Sequence, residues 1–85
     1  MLYRIMTEDK NLEGIKSLVG KYFEGFSLFT SKGFWKGIEE NSLTIEVISE
    51  SKIMDAIKEL ARAIKDLNSQ DAVLVEVLKN NSFLI

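Results

Sequence analysis

Apolar and polar residues alternate in four stretches of this chain and recur at three- and four-residue steps in two others. Residues 2–7 alternate, with Tyr3 and Ile5 on one side and Leu2, Arg4 and Met6 on the other, which predicts a strand. Leu12, Ile15, Val19, Tyr22 and Phe23 then form a helical stripe, while Lys10, Glu13, Lys16 and Lys21 fall on the wet side. Thr7, Glu8 and Asp9 read as the start of that helix, a capping hydroxyl followed by two acids. Gly25 turns the chain into a second strand over residues 26–35, where Phe26, Leu28 and Thr30 oppose Ser27, Phe29 and Ser31. Gly33 within it predicts a bulge or bend. Beyond Gly37, the residues Ile38, Glu39, Glu40 and Asn41 read as a polar return. The third strand covers 42–49, with Leu43, Ile45 and Val47 on one face and Thr44, Glu46 and Ile48 on the other. Ser49 or Ser51 is the expected cap of a second helix, whose stripe is Ile53, Ile57, Leu60, Ile64 and Leu67. Asn68, Ser69 and Gln70 end it, and a fourth strand spans 71–79, with Val73, Val75 and Val77 facing away from Ala72, Leu74, Glu76 and Leu78.

The order β-α-β-β-α-β with short connections has one common solution, an α+β ferredoxin-like sandwich. It implies a single domain over residues 1–85, an antiparallel sheet of order 4-1-3-2 and both helices on one face. On the other face the same parity sets Arg4 between Glu46 and Glu76, a predicted charge triad. Met6, Phe29, Ile48, Leu74 and Leu78 surround it, together with Leu2. So apolar a sheet face marks an interface, because contiguous apolar patches of more than a few hundred Å² are seldom left in water. The plainer alternative is a solvated face on which Arg4 pairs weakly with either acid.

Composition narrows the functions open to such a domain. At 85 residues the chain has room for one core, and a domain this small buries only about 60% of its unfolded surface. With no Cys and no His, neither a disulfide framework nor an ordinary zinc or copper site is available. No metal and no cofactor is expected, and association with copies of itself is the remaining route to added stability. A net charge of −2 and a pI near 5.1 offer no attraction to nucleic acid or to anionic membrane. RNA-binding sheets of the same element order carry aromatics on the open faces of strands one and three, where this chain has Arg4, Met6, Thr44, Glu46 and Ile48. Residues 1–10 lack the apolar run of a signal peptide, so a cytoplasmic protein is expected.

The run Gly33, Phe34, Trp35, Lys36, Gly37, Ile38, Glu39, Glu40, Asn41, Ser42, Leu43, with the apolar strand, helix and valine-rich strand that follow, resembles the CutA family within the PII-like group. The likeness covers roughly the C-terminal three fifths of the chain; the first strand and helix fit in order and length. It implies a homotrimer in which the hairpins of strands two and three extend over neighbouring subunits. Binding of a small anionic ligand, such as a nucleotide or nucleotide-derived signal, at clefts between subunits is implied by the PII members. The matching positions here are Thr30, Lys32, Gly33, Trp35 and Lys36. The chain departs from CutA proteins in having none of the His or Cys that soft-metal binding would require, and in carrying Asn68, Ser69, Gln70 and Asp71 where a His-Pro-Tyr-type turn is usual.

Read from the residues alone, Lys32, Trp35 and Lys36 could hold an anionic ring by ion pairing and stacking. Alternatively, Trp35 anchors the hairpin in a neighbour while the lysines are edge charges that oppose aggregation. No nucleophile with a base is recognisable, so a non-enzymatic sensor or sequestering protein is expected. The competing expectation is a structural or protein-interaction module with no small-molecule ligand, using the hairpin or the apolar tail Phe83, Leu84 and Ile85.

Overall fold

The computed structural model describes residues 1–79, with Trp35 described by its backbone alone. The expected docking of Phe83, Leu84 and Ile85, and the roles foreseen for the Trp35 side chain, lie outside the described residues. The elements run β1 (Leu2–Glu8), α1 (Leu12–Tyr22), β2 (Ser27–Trp35), β3 (Ile38–Ile48), α2 (Met54–Leu67) and β4 (Leu74–Leu78). All strand pairs are antiparallel and the sheet order is β2-β3-β1-β4, the same adjacency as the 4-1-3-2 expected. This α+β arrangement of four strands and two helices is compatible with a ferredoxin-like fold.

Alternation decides which residues enter the core. Tyr3 and Ile5 of β1 and Leu43, Ile45 and Val47 of β3 form one buried cluster with Ile15 and Val19 of α1 and Ile57, Leu60, Ala61 and Ile64 of α2. Leu28, Val73 and Val75 pack at its margin. The helices meet closely where Gly14 of α1 faces Leu67 of α2, since a Cβ on Gly14 would lie 3.3 Å from Leu67 Cδ2. Farther along that seam the Tyr22 hydroxyl donates to Glu59 Oε1 at 3.2 Å. Desolvation, then that hydrogen bond and the Glu59 charge, raise the Tyr22 phenol above its usual range.

Both expected helix caps are displaced. Thr7 stays in β1, paired with Leu43, and is buried on the covered face, where its hydroxyl donates to Gln70 Oε1. Helix α1 starts instead after Asn11, whose left-handed backbone (φ 54°) is tolerated best by Asn among non-glycine residues. The Asn11 carbonyl accepts the Ile15 amide at 2.8 Å and its side-chain amide donates to Asn68 Oδ1 at 2.9 Å, tying the start of α1 to the end of α2. At the second site Ser49 is held at the sheet end, exchanging backbone hydrogen bonds with Met1 of 2.8 and 3.0 Å. Its hydroxyl accepts the Ser51 amide, and α2 begins only after Ile53, with no side-chain cap.

Helix α2 ends in a Schellman arrangement: the Gln70 amide reaches the Lys65 carbonyl at 3.0 Å, the Ser69 amide reaches that of Asp66 at 3.3 Å, and Ser69 takes positive φ (52°). This turn and the tethering of Gln70 use the residues before β4, which therefore starts at Leu74 and not at Asp71. The β2–β3 hairpin differs most from expectation. The register passes through Gly33, opposite Glu40, without a bulge, and the supposed polar return is strand as far as Ile38. Only Lys36 and Gly37 turn, with φ of 51° and 77°, the pair of positive values that a two-residue type I′ hairpin requires.

Candidate functional site

Two features stand out from the packed body. The first is the open face of the sheet. Arg4 lies directly across from Glu46 on β3 and from Glu76 on β4, as the parity demanded. Its Nε donates to Glu46 Oε2 at 2.6 Å, with the two side chains 37% and 21% exposed. Glu76 faces Arg4 in register but forms no ion pair with it, so the expected triad is a pair with a bystander. Engagement of Nε by Glu46 draws the single guanidinium toward β3. Around this pair Phe29 is 50%, Ile48 64% and Leu74 56% exposed, with Leu78 also exposed and Leu2 and Met6 half-buried. Every residue expected at an interface therefore lies on one uncovered surface.

The second feature is the hairpin arm. Pairing of β1 with β3 stops at Glu8 and Ser42, whereas β2 and β3 continue through Lys32 with Asn41, Gly33 with Glu40, Phe34 with Glu39 and Trp35 with Ile38. Four further pairs carry the arm roughly 13 Å past the body at the usual strand rise. Phe34 is 71% and Ile38 65% exposed on it. The five positions expected to hold a ligand are strung along this arm and are not gathered within one chain. Thr30 pairs with Leu43 near the body and Lys36 forms the turn at the far end. Lys32 Nζ sits 3.4 Å from Glu39 Oε2 on one side of the ribbon, and Gly33 belongs to the other.

Sequence reasoning missed a groove at the foot of the arm. An open concavity of about 960 Å³ lies between Gly33 and Phe34 on the arm, Met6 to Glu8 at the end of β1, Glu40 to Ser42 on β3 and Gln70 to Leu74 ahead of β4. Its floor is fixed by polar contacts: Gln70 Oε1 accepts from Thr7 and, at 3.3 Å, from Asn68 Nδ2, while Lys10 Nζ donates to the buried Asn68 carbonyl at 3.2 Å. The signal available was the polar run Asn68, Ser69, Gln70, Asp71. Nothing in that run indicated that Thr7 and the arm would come to meet it. Among the described residues no group of three or more acidic, His or Cys side chains is placed to hold a metal ion, and no helix is long and apolar enough to cross a membrane.

No family model matches the chain, and no curated protein does. Solved structures do resemble it. A phage SAM lyase in its apo state superposes with a TM-score of 0.67 at 16% identity, covering 87% of this chain and 75% of the lyase chain. A DUF3240 family protein from Shewanella baltica gives a TM-score of 0.67 at 16% identity, covering 99% and 94%. A de novo designed protein, Foldit4, gives 0.54 at 16% identity over 94% of each chain. At such identity the likeness is one of fold alone.

Proposed function

We propose that this chain is a non-enzymatic, PII/CutA-like homotrimer of the cytoplasm that binds a small anionic ligand, a nucleotide or nucleotide-derived signal, in clefts between subunits, as a sensor or sequestering protein. The observation that carries the reading is the open sheet face. Phe29, Ile48 and Leu74 stand half or more exposed around the Arg4–Glu46 pair, and an apolar surface of that kind is best accounted for by sister subunits covering it. Thr30, Lys32, Gly33, Trp35 and Lys36, spread along one arm, form a pocket only if a neighbour supplies the opposite wall. The resemblance of the arm sequence to CutA proteins supports the same assembly.

Mass in solution together with fluorescence of the lone tryptophan, Trp35, tests both halves of the reading. A trimer whose emission shifts on adding one member of a nucleotide panel is expected. A monomer, or a trimer silent to the whole panel, sinks it. A second reading, a protein-interaction module without a small-molecule ligand, is favoured by the exposure of Phe34 and Ile38 on the arm. It predicts the silent trimer.

A further inference from the structure

We infer that the outer edge of β4 pairs with the same edge of a second copy, antiparallel and centred on Glu76, joining two four-stranded sheets into one of eight strands. The contact is separate from the covering of the open face proposed above, because it uses the edge of the sheet and not its surface. Strand β4 ends the sheet, with β1 on its inner side and no strand on its outer side among the described residues. Its outward amides and carbonyls are therefore open to a further strand. The opposite edge, β2, carries Lys32, a residue type that commonly blocks such addition. β4 contains neither Lys nor Pro, and is apolar at every position except its centre. The helix layer also stops short of it. Val77 stands opposite Tyr3 in register, yet it is 39% exposed where Tyr3 is 2%. Val75 is likewise only half-buried beside the buried Ile5. With Leu74 and Leu78 exposed on the open side, an apolar ledge runs along both faces of this edge.

The order of residues selects the occupant. Leu74, Val75, Glu76, Val77 and Leu78 read the same in both directions, so two antiparallel β4 strands centred on Glu76 set Leu74 opposite Leu78 and Val75 opposite Val77. Every apolar side chain then meets another on its own face. Moving the centre to Val75 or Val77 sets Glu76 against Leu74 or Leu78, a carboxylate against an apolar side chain. The contact is isologous and closes at two copies. Its cost is Glu76 facing Glu76 of the second copy, since like charges directly opposite destabilise a strand pair. The charged groups beside that position are Arg4, across from Glu76 on β1, and Glu46, which takes the Arg4 Nε from β3. Pairing is therefore reversible, and Glu76 sets its strength.

The chain has no cysteine, so single-cysteine variants report the contact without background. Val75 and Val77 share the side of Tyr3 and Ile5, away from the open face, and cysteine replaces valine there as a small apolar residue. Val75→Cys and Val77→Cys proteins are mixed and treated with a mild oxidant. The mixed disulfide should form at least tenfold faster than either protein forms its own, because directly opposite side chains lie within disulfide reach and diagonal ones do not. Equal rates, or no disulfide, as expected if residues 80–85 or a different protein cover the edge, overturn the inference. Glu76→Gln in both proteins should raise the mixed rate about threefold or more by removing the opposed charges. An unchanged rate overturns the register and the inference with it. Sedimentation of the reduced proteins reports the trimer separately, so the edge contact can fail with the trimer intact, and the trimer with the edge contact intact.

Discussion

Ile45 and Ile48 are the same residue, three positions apart on β3, and they meet opposite fates: Ile45 is 0% exposed and Ile48 64%. Tyr3 and Ile5 on β1 share the first fate, whereas Arg4 and Met6, which alternate with them, stay partly open. Both faces of the sheet carry large apolar side chains, since Phe29, Ile48, Leu74 and Leu78 are as apolar as the core, although the open face also holds Arg4, Glu46 and Glu76. They differ in whether a second layer exists. Helices α1 and α2 cover one face, and burying an isoleucine there contributes about 1.5–3 kcal/mol. On the other face the same side chain contributes only when another molecule covers it. On the proposed assembly, stability of the fold and association fall to alternate residues of the same strands, and substitutions on the two faces should separate them.

The largest effect is expected from Ile45→Ala. Its cavity should cost about 2–5 kcal/mol, read from the denaturant midpoint of the dissociated chain. A cost below ~1 kcal/mol would mean that the covered face is not the main core. Next, Ile48→Lys should weaken association at least tenfold, about 1.4 kcal/mol, by sedimentation, while the isolated chain keeps its stability to within ~0.5 kcal/mol. Equal loss of folding and association would erase the distinction between the faces. Gly20→Ala touches neither face: nothing lies within 4 Å of a Cβ placed there, so replacing a helical glycine should stabilise the chain by about 0.5–1 kcal/mol, unchanged by assembly. The smallest shift belongs to Lys36→Asn. At φ 51° asparagine fits a type I′ turn better than lysine, and thermal unfolding should move upward by a few tenths of a kcal/mol at most.

Much of this architecture was legible from periodicity. Register in a sheet with one buried face is set by the apolar pattern, which is why Arg4 could be set opposite Glu46 and Glu76 and why the exposed apolar positions fell together. What escaped was whatever depends on partners distant in the chain. Thr7, Ser49 and Ser51 look like caps locally, yet the Thr7 hydroxyl goes to Gln70 and the Ser49 backbone to Met1. Glu39, Glu40 and Asn41 are poor strand formers, and they are strand because the type I′ turn holds them opposite Lys32, Gly33 and Phe34. The groove draws residues from four separate stretches, so no local motif announces it.

The strand order also has a consequence for the sequence of events in folding. The β2–β3 ribbon closes through two residues, and hairpins of that kind assemble in about 1–10 μs. Strand β1 takes one of its two partners, β4, from beyond the ribbon and both helices, with Leu2 beside Leu78. A chain emerging from the ribosome therefore holds its ribbon early, while one flank of β1 waits unpaired until β4 has been made. Pulse-labelled hydrogen exchange should find amides of the ribbon protected before those linking β1 to β4.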